Sequence, residues 1–447
     1  MDGPHTISKP LAKMAIGFTT RTTSTLRPPA TQGGRRAAAA VCRSSAEGIG
    51  AGLKTCHGGA HLSASNKAEL ERVASLIATP GKGITACDEG PGTIGGRFEA
   101  VGLKNSEEAR RSYRQMLFET EGSNDYLCGA ILDPETLYQR SSTDGALFPE
   151  KLSALGVVPG VKPHLKIYEL PGQSGATVMQ GLDSLAVRCA EYAEAGAKFA
   201  KWRSPLVIDV AAGQPSALTV QTNMDDLARY ALICQSEGLM PIVEPDISLK
   251  GCHDLETAVM VNVQVQSALY KAMLDHGVFM EGATLKPNIV NPGLDCEKSY
   301  TVEEIAKGER DAGHCSDTPP LSLPLTPTPS PSLSLSPSLS LSLGIEANID
   351  VLNRCFPCAM KGANFLSGGQ SLADASARLS KMNQVKGTSP WNLSFSWSAA
   401  LQLPLLDLAK ETGTLCLSEM SDLYLEELKV SEKRTRVCCF SKRWIWI

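Results

Sequence analysis

Lys286 closes the apolar run Gly282-Ala283-Thr284-Leu285-Lys286 and is followed at once by Pro287. A lysine at the end of a strand points into whatever the neighbouring strands enclose. A primary amine placed there can condense with a ketone, and the iminium so formed is an electron sink for breaking the adjacent carbon–carbon bond. Free lysine titrates at about 10.4, so attack near neutrality needs desolvation or nearby cations. A carboxylate must also accept and return protons, and Glu244 ends the run Met240-Pro241-Ile242-Val243-Glu244. Lys162 and Lys201 end two further runs, and Arg203, two residues beyond Lys201, shares its strand face. Taken singly, Lys286 reads as a lysine at an ordinary strand terminus, and Glu244 with Lys201 reads as a buried ion pair.

The elements that would position these groups recur along the chain. Eight apolar runs stop at polar residues: those ending at Asp88, Asp133, Lys162, Arg203 and Glu244, the Lys286 run, Asn364 to Gly369, and Leu393 to Ser396. From Lys162 to Lys201, Glu244 and Lys286 the step is about forty residues, which is what one strand and one crossover helix consume. The spacing predicts a (β/α)8 barrel with unlike polar groups facing one mouth. Between strands, Asp183 to Gly196 carries Leu185, Cys189, Tyr192 and Ala193 on one helical face. Asn223 to Gly238 does the same with Leu227, Tyr230, Ala231 and Cys234, and both segments end at glycine. These stripes are core faces against a sheet.

Several stretches carry a more specific likeness: Pro80-Gly81-Lys82-Gly83-Ile84, Tyr113-Arg114-Gln115, Glu135-Thr136-Leu137-Tyr138-Gln139, Phe199-Ala200-Lys201-Trp202-Arg203, Ile242-Val243-Glu244-Pro245, Leu285-Lys286-Pro287-Asn288 and Phe365-Leu366-Ser367-Gly368-Gly369-Gln370-Ser371. In their order and spacing, over about residues 70–402, the chain resembles the class I, Schiff-base-forming fructose-bisphosphate aldolases, and the plastid branch more than the cytosolic one. The resemblance implies a lyase that cleaves fructose 1,6-bisphosphate reversibly to glycerone phosphate and glyceraldehyde 3-phosphate, with no cofactor and no metal. It gives Lys286 the Schiff-base role and Glu244 the acid–base role in carbinolamine dehydration. Asp88 would accept the proton of the C4 hydroxyl, and Lys201 would assist proton transfer. Ser367-Gly368-Gly369 matches a loop for the C1 phosphate, where successive N–H groups can cradle an oxyanion, and Ser396 matches a hydroxyl beside it. Thr93, Arg97 and Lys162 resemble the groups around the sugar's other end, and the family is homotetrameric.

Departures from the family fall in the binding groups. An arginine after the eighth strand is Ala399, a serine after the first is Gly90, an aspartate after the Lys162 strand gives way to Pro163-His164, and a glutamate is Asp246. The terminal tyrosine of the family is absent from a chain that ends Trp444-Ile445-Trp446-Ile447. Losing one charge-assisted phosphate contact costs about 1.5–3 kcal/mol. A catalytically impaired aldolase-like binding or scaffold protein is therefore the competing expectation.

The chain has 447 residues, a formal charge of −4, 43% apolar and 20% charged residues. That composition has no basic surplus for nucleic acid and no apolar run long enough for a membrane-spanning helix. Residues 1–46 are rich in Ser, Thr and Ala, set Lys9, Lys13, Arg21, Arg27, Arg35, Arg36 and Arg43 against Asp2 alone, and lack a long apolar stretch. They suit an organelle transit peptide, hence chloroplast import, with a cytoplasmic protein bearing a disordered basic tail as the alternative. The barrel is expected over 65–402, followed by an atypical tail, 403–447. Thr318 to Gly344 is an uncharged Pro/Ser/Leu/Thr tract whose prolines oppose a helix. Excising 308–347 restores the barrel step between Lys286 and Ser367, so an insert is expected there, separating Glu303-Glu304-Ile305-Ala306 from Val351-Leu352. The fourteen cysteines are scattered and read mostly as reduced, buried small hydrophobes, with Cys87 and Cys128 inside the barrel. Cys355-Phe356-Pro357-Cys358 and the group Cys56, His57, His61 lack the partners that would complete a zinc site.

Overall fold

The computed structural model describes residues 58–297 and 337–436. The first helix, α1 (Ala64–Ile77), is capped by Ser63, whose side chain accepts from the Asn66 N–H. It leads into β1 (Gly83–Cys87), α2 (Pro91–Ala100), α3 (Glu107–Glu119), β2 (Leu127–Leu132), the single turn α4 (Pro134–Leu137), α5 (Phe148–Ala154) and β3 (Val158–Val161). A short antiparallel hairpin follows, β4 (Ile167–Glu169) with β5 (Thr177–Met179). Next come α6 (Leu185–Glu194), β6 (Phe199–Leu206), α7 (Ala217–Ser236), β7 (Met240–Ile247), α8 (Leu255–Asp275) and β8 (Thr284–Leu285). The chain closes with α9 (Pro337–Cys355), β9 (Gly362–Phe365), α10 (Leu372–Val385), β10 (Asn392–Trp397), α11 (Ala399–Thr412) and α12 (Leu417–Arg436).

Eight strands close a barrel in the order β1-β10-β9-β8-β7-β6-β3-β2, every pair parallel. The (β/α)8 reading of the sequence is correct, and each of the eight runs supplies one barrel strand. Alternation along the strands divides the buried side chains. Ile84, Ala86, Ile131, Val158, Phe199, Met240 and Ile242 form an interior cluster with Leu70, Val73, Ala74 and Ile77 of α1, which thus plugs one end of the barrel. The second, larger cluster lies between sheet and helices and holds Trp202, Tyr230, Phe395 and Trp397. The predicted helical stripes belong to it: Leu185, Cys189, Tyr192, Leu227, Tyr230, Ala231 and Cys234 are buried there, with Ala193 packed against it.

Some expectations are corrected. Cys128 packs in the interior cluster, but Cys87 belongs to the outer one, because it precedes Asp88 and so faces the other side of the strand. The helix expected from Asn223 begins six residues earlier, at Ala217, where the Ser216 hydroxyl accepts from the Thr219 N–H. Residues 337–344 of the uncharged tract are helical, as the first part of α9. Pro337 stands at the start of that helix, where its missing N–H costs nothing, and no further proline occurs before Pro357. Residues 298–336, with the rest of the proposed insert and Glu303 to Ala306, lie outside the described residues. The barrel body also runs past 402: α11 continues to Thr412 with Leu405, Leu406 and Ala409 buried, and α12 buries Met420, Tyr424 and Leu428. Hairpin β4–β5 has no counterpart in the sequence reading, since its residues are largely exposed and follow no apolar run.

Candidate active site

The end of the barrel away from α1 collects the polar residues that terminate the strands. Register sets their heights: Arg203 of β6 lies opposite Glu244 of β7, and Val243 opposite Leu285 of β8, so Lys286 follows one step above. The Lys286 N–H donates to the Val243 carbonyl at 2.9 Å, which extends the ladder and fixes the lysine beside Glu244. Val161 of β3 lies opposite Ala200, which brings Lys162 level with Lys201.

Four charged side chains form one connected group. Lys201 Nζ lies 2.6 Å from Asp88 Oδ2 and 3.1 Å from Glu244 Oε2, and Lys286 Nζ lies 3.3 Å from Glu244 Oε1. All four residues are buried. Two cations and two anions balance, and each charge has an opposite neighbour, as burial demands. The balance is uneven, however. Burial, aided by Lys201, pushes the Lys286 ammonium below its ordinary value, while Glu244 and Asp88 oppose the shift. Burial would likewise lower Lys201, but its two carboxylate neighbours outweigh that and raise it. Asp88 and Glu244 would both be raised by burial; Lys201 and Lys286, with Lys162 for Asp88 and Arg203 for Glu244, hold them below the usual carboxylate range. Lys201 is therefore the fixed cation, Lys286 the amine more easily made neutral, and Asp88 and Glu244 rest as carboxylates.

Further contacts surround this group. Lys162 donates to Asp133 Oδ2 at 2.8 Å and to the Asp88 carbonyl at 2.7 Å, tying the ends of β1, β2 and β3 together. Arg203 donates to Asp246 Oδ2 at 2.6 Å, and Asp246 Oδ1 accepts from Asn288 at 3.0 Å. After β9, Ser367 is buried, and Gly368 and Gly369 adopt φ of 58° and 79°. A side chain at 368 would start 2.8 Å from Asn288 Oδ1, so glycine is required there for close backbone approach. Ser396 is buried with its hydroxyl unpartnered. Arg97 donates to Glu89 Oε1 at 2.8 Å and to the Ser398 hydroxyl at 3.3 Å, beside the start of α11. Thr93 lies in the exposed first turn of α2.

Sequence reasoning passed over Glu89 and Arg114. Glu89 is shared by Arg97 and Arg114, the latter at 2.9 Å, and also takes the Ser398 hydroxyl and the Gln402 amide. A signal was present: adjoining acids at the end of a strand cannot both face the mouth, so one must find cations elsewhere. Asp133 was read only as a strand end, yet it both caps α4 through the Glu135 N–H and anchors Lys162. Gly90 has room: a Cβ there would lie 3.6 Å from both Asp133 Oδ2 and Lys162 Nζ. A groove of about 310 Å³ lies elsewhere, between α3 and α12. Its polar groups bond one another, Gln115 with Arg111 and Glu119, and Thr120 with Ser421. Among the described residues no cluster of His, Cys, Asp and Glu could hold a metal ion.

Comparison with known proteins bears directly on this arrangement. The family model for class-I fructose-bisphosphate aldolase matches residues 69–312 and 342–413. A fructose-bisphosphate aldolase of Echinococcus multilocularis is 42% identical over 343 residues, covering 76% of this chain and 83% of the relative. The cytoplasmic isozyme of Spinacia oleracea is 43% identical over 334 residues, 75% of this chain and 82% of the relative. A crystal structure of Plasmodium falciparum fructose-bisphosphate aldolase, in complex with TRAP and a small-molecule inhibitor, superposes with a TM-score of 0.72 at 35% identity, covering 84% of this chain and 96% of the other. With the eight-stranded barrel, the strand-end lysine beside its glutamate and these matches together, the chain belongs to the class-I fructose-bisphosphate aldolase family.

Proposed function

We propose that the aldolase activity of this family, reversible cleavage of fructose 1,6-bisphosphate to glycerone phosphate and glyceraldehyde 3-phosphate, runs here through Lys286, Glu244, Asp88 and Lys201. Lys286 gives its ammonium proton to Glu244, and the neutral amine attacks the C2 carbonyl of the open-chain ketose, an amine proton passing to the alkoxide to give a carbinolamine. Glu244 returns a proton to the departing hydroxyl, water leaves, and an iminium forms. Asp88 takes the C4 hydroxyl proton; the C3–C4 bonding pair moves to the iminium nitrogen, and the aldehyde departs. Reprotonation of the enamine at C3 and hydrolysis then release glycerone phosphate and free Lys286. Lys201 favours the anionic form of both carboxylates between these proton transfers. Ser367, Gly368, Gly369 and Ser396 are the groups for the C1 phosphate, and Arg97, Lys162, Arg203 and Thr93 those for the rest of the sugar bisphosphate. The observation that carries the reading is the buried Lys286 amine 3.3 Å from Glu244, linked through Lys201 to Asp88.

Asp88→Asn tests the division of labour. The variant should still be reduced by borohydride onto glycerone phosphate, because imine formation does not use Asp88, yet cleavage should fall by about 10²–10⁴-fold. Loss of both, or of neither, would remove Asp88 from the role.

The basic lead-in supports work in plastid carbon fixation as well as glycolysis, although the relatives include cytosolic plant isozymes. A fluorescent fusion of residues 1–60 should enter chloroplasts, and retention in the cytosol would return the protein to the cytoplasm. Self-association as a homo-oligomer, a tetramer by resemblance, is supported by exposed apolar residues around β4: Leu165, Ile167 and Tyr168.

A further inference from the structure

His164 stands two residues past Lys162, where the family resemblance calls for an aspartate. Its ring meets Trp202 edge-on, with centroids 5.9 Å apart. The residue is partly exposed, yet both ring nitrogens are shielded and neither has a hydrogen-bond partner. That is an uncommon state for an imidazole, since an unpaired buried polar atom is destabilising and most find a partner. The charges that act on it are those of the catalytic mouth. Burial first, then Lys201 and Lys162, push it well below its ordinary value, with Arg203 adding to them and Asp88 opposing. The ring is thus neutral at physiological pH, with one N–H donor and one lone pair unused.

We infer that His164 is a specificity-determining contact for the ketose bisphosphate, a neutral hydrogen-bonding partner for a hydroxyl of the sugar chain on the Lys162 side of the mouth. The inference rests on the proposed sugar-bisphosphate reading of the site. A hydroxyl both donates and accepts, as a neutral imidazole does, and it brings no charge into a site whose four central charges already balance. This contact requires a turn of the ring about its Cβ–Cγ bond to bring one of the shielded nitrogens to the substrate. A carboxylate at this position would instead be drawn to Lys162 or Lys201 and compete with Asp133 and Asp88 for them.

The test compares His164→Phe, which keeps the packing on Trp202 and removes both nitrogens, with His164→Gln, which keeps a neutral donor and acceptor. Equilibrium binding of a hexitol 1,6-bisphosphate, which lacks the carbonyl and cannot form an imine, should weaken about tenfold in the phenylalanine variant and recover in the glutamine variant. KM for fructose 1,6-bisphosphate should rise in parallel with little change in kcat, and the ratio of kcat/KM between six- and seven-carbon bisphosphates should shift. The thermal midpoint of the phenylalanine variant should equal or exceed that of the parent. Unchanged hexitol bisphosphate binding with an unchanged six-to-seven-carbon ratio would overturn the inference. Because the binding arm needs no turnover, it reads His164 even if Lys286 forms no imine, an outcome that would sink the catalytic reading alone.

Discussion

Lys286 and Glu244 regulate one another, and that coupling has a measurable sign. The Glu244 carboxylate favours the Lys286 ammonium, against burial and against Lys201. Glu244→Gln removes that support, so the lysine should lose its proton at still lower pH. Only the neutral amine attacks, so the rate of borohydride-trapped imine formation, followed against pH, should begin its rise at lower pH in the variant than in the parent. A rise displaced to higher pH would contradict the electrostatic account. Turnover of the variant should meanwhile fall by about 10²–10⁴-fold, since the acid for dehydration is gone. At Gly90 the space for a Cβ, 3.6 Å from Asp133 and Lys162, predicts that Gly90→Ser folds normally. Its backbone φ of −66° suits any residue. The added hydroxyl beside Lys162 should lower KM for the bisphosphate by about two- to tenfold, and a raised KM or lost solubility would show that the space is needed empty. The residues proposed for catalysis were legible because each stands at the end of an apolar run, where a strand meets the mouth. Glu89 and Arg114 were not, because Arg114 sits mid-helix in α3 and shows its partner only once the helix packs beside β1.

Among the elements, α12 was the least legible and is nonetheless part of the body. A sequence comparison that stops at 402 leaves Met420, Tyr424 and Leu428 in an unassigned tail, yet their three-to-four spacing marks one helical face. That face is buried, and Tyr424 reaches the Thr85 hydroxyl on β1 at 2.8 Å. Tyr424→Phe should cost about 0.5–1.5 kcal/mol for one hydrogen bond, and Leu428→Ala about 2–5 kcal/mol for a core cavity. Chemical denaturation of the two variants checks the order, and a Leu428→Ala chain as stable as the parent would place α12 outside the cooperative unit. The lengths of β6 and β7 also exceeded expectation. Pro205 and Pro245 stand near the ends of these strands, where proline argues against strand, yet both keep the shared register, opposite Asp246 and Ser204, and the Pro205 carbonyl also accepts from the Thr177 hydroxyl.

Over the whole molecule, the forty-residue step was enough to give the barrel because each strand and its crossover helix form one local unit. The step fails where the uncharged tract interrupts it, and the family match skips 313–341 at the same place. Helix α9, which begins within that gap, still reaches the chain that follows β8: Asn348 accepts from the Val290 N–H at 2.9 Å and donates to its carbonyl at 3.2 Å, four residues past Lys286. The eighth crossover helix, the glycine loop after β9 and the glutamate beside the lysine are likewise in place. The barrel thus delivers its reactive groups to one mouth although the chain between β8 and α9 is lengthened. The most direct test is to incubate the purified full-length chain with fructose 1,6-bisphosphate, reduce with borohydride, and locate the added mass by peptide mass spectrometry. The added triose or hexose phosphate should be found on Lys286 alone and should vanish in Lys286→Met. Turnover that leaves Lys286 unmodified, or an adduct carried by Lys162 or Lys201 instead, would contradict the account.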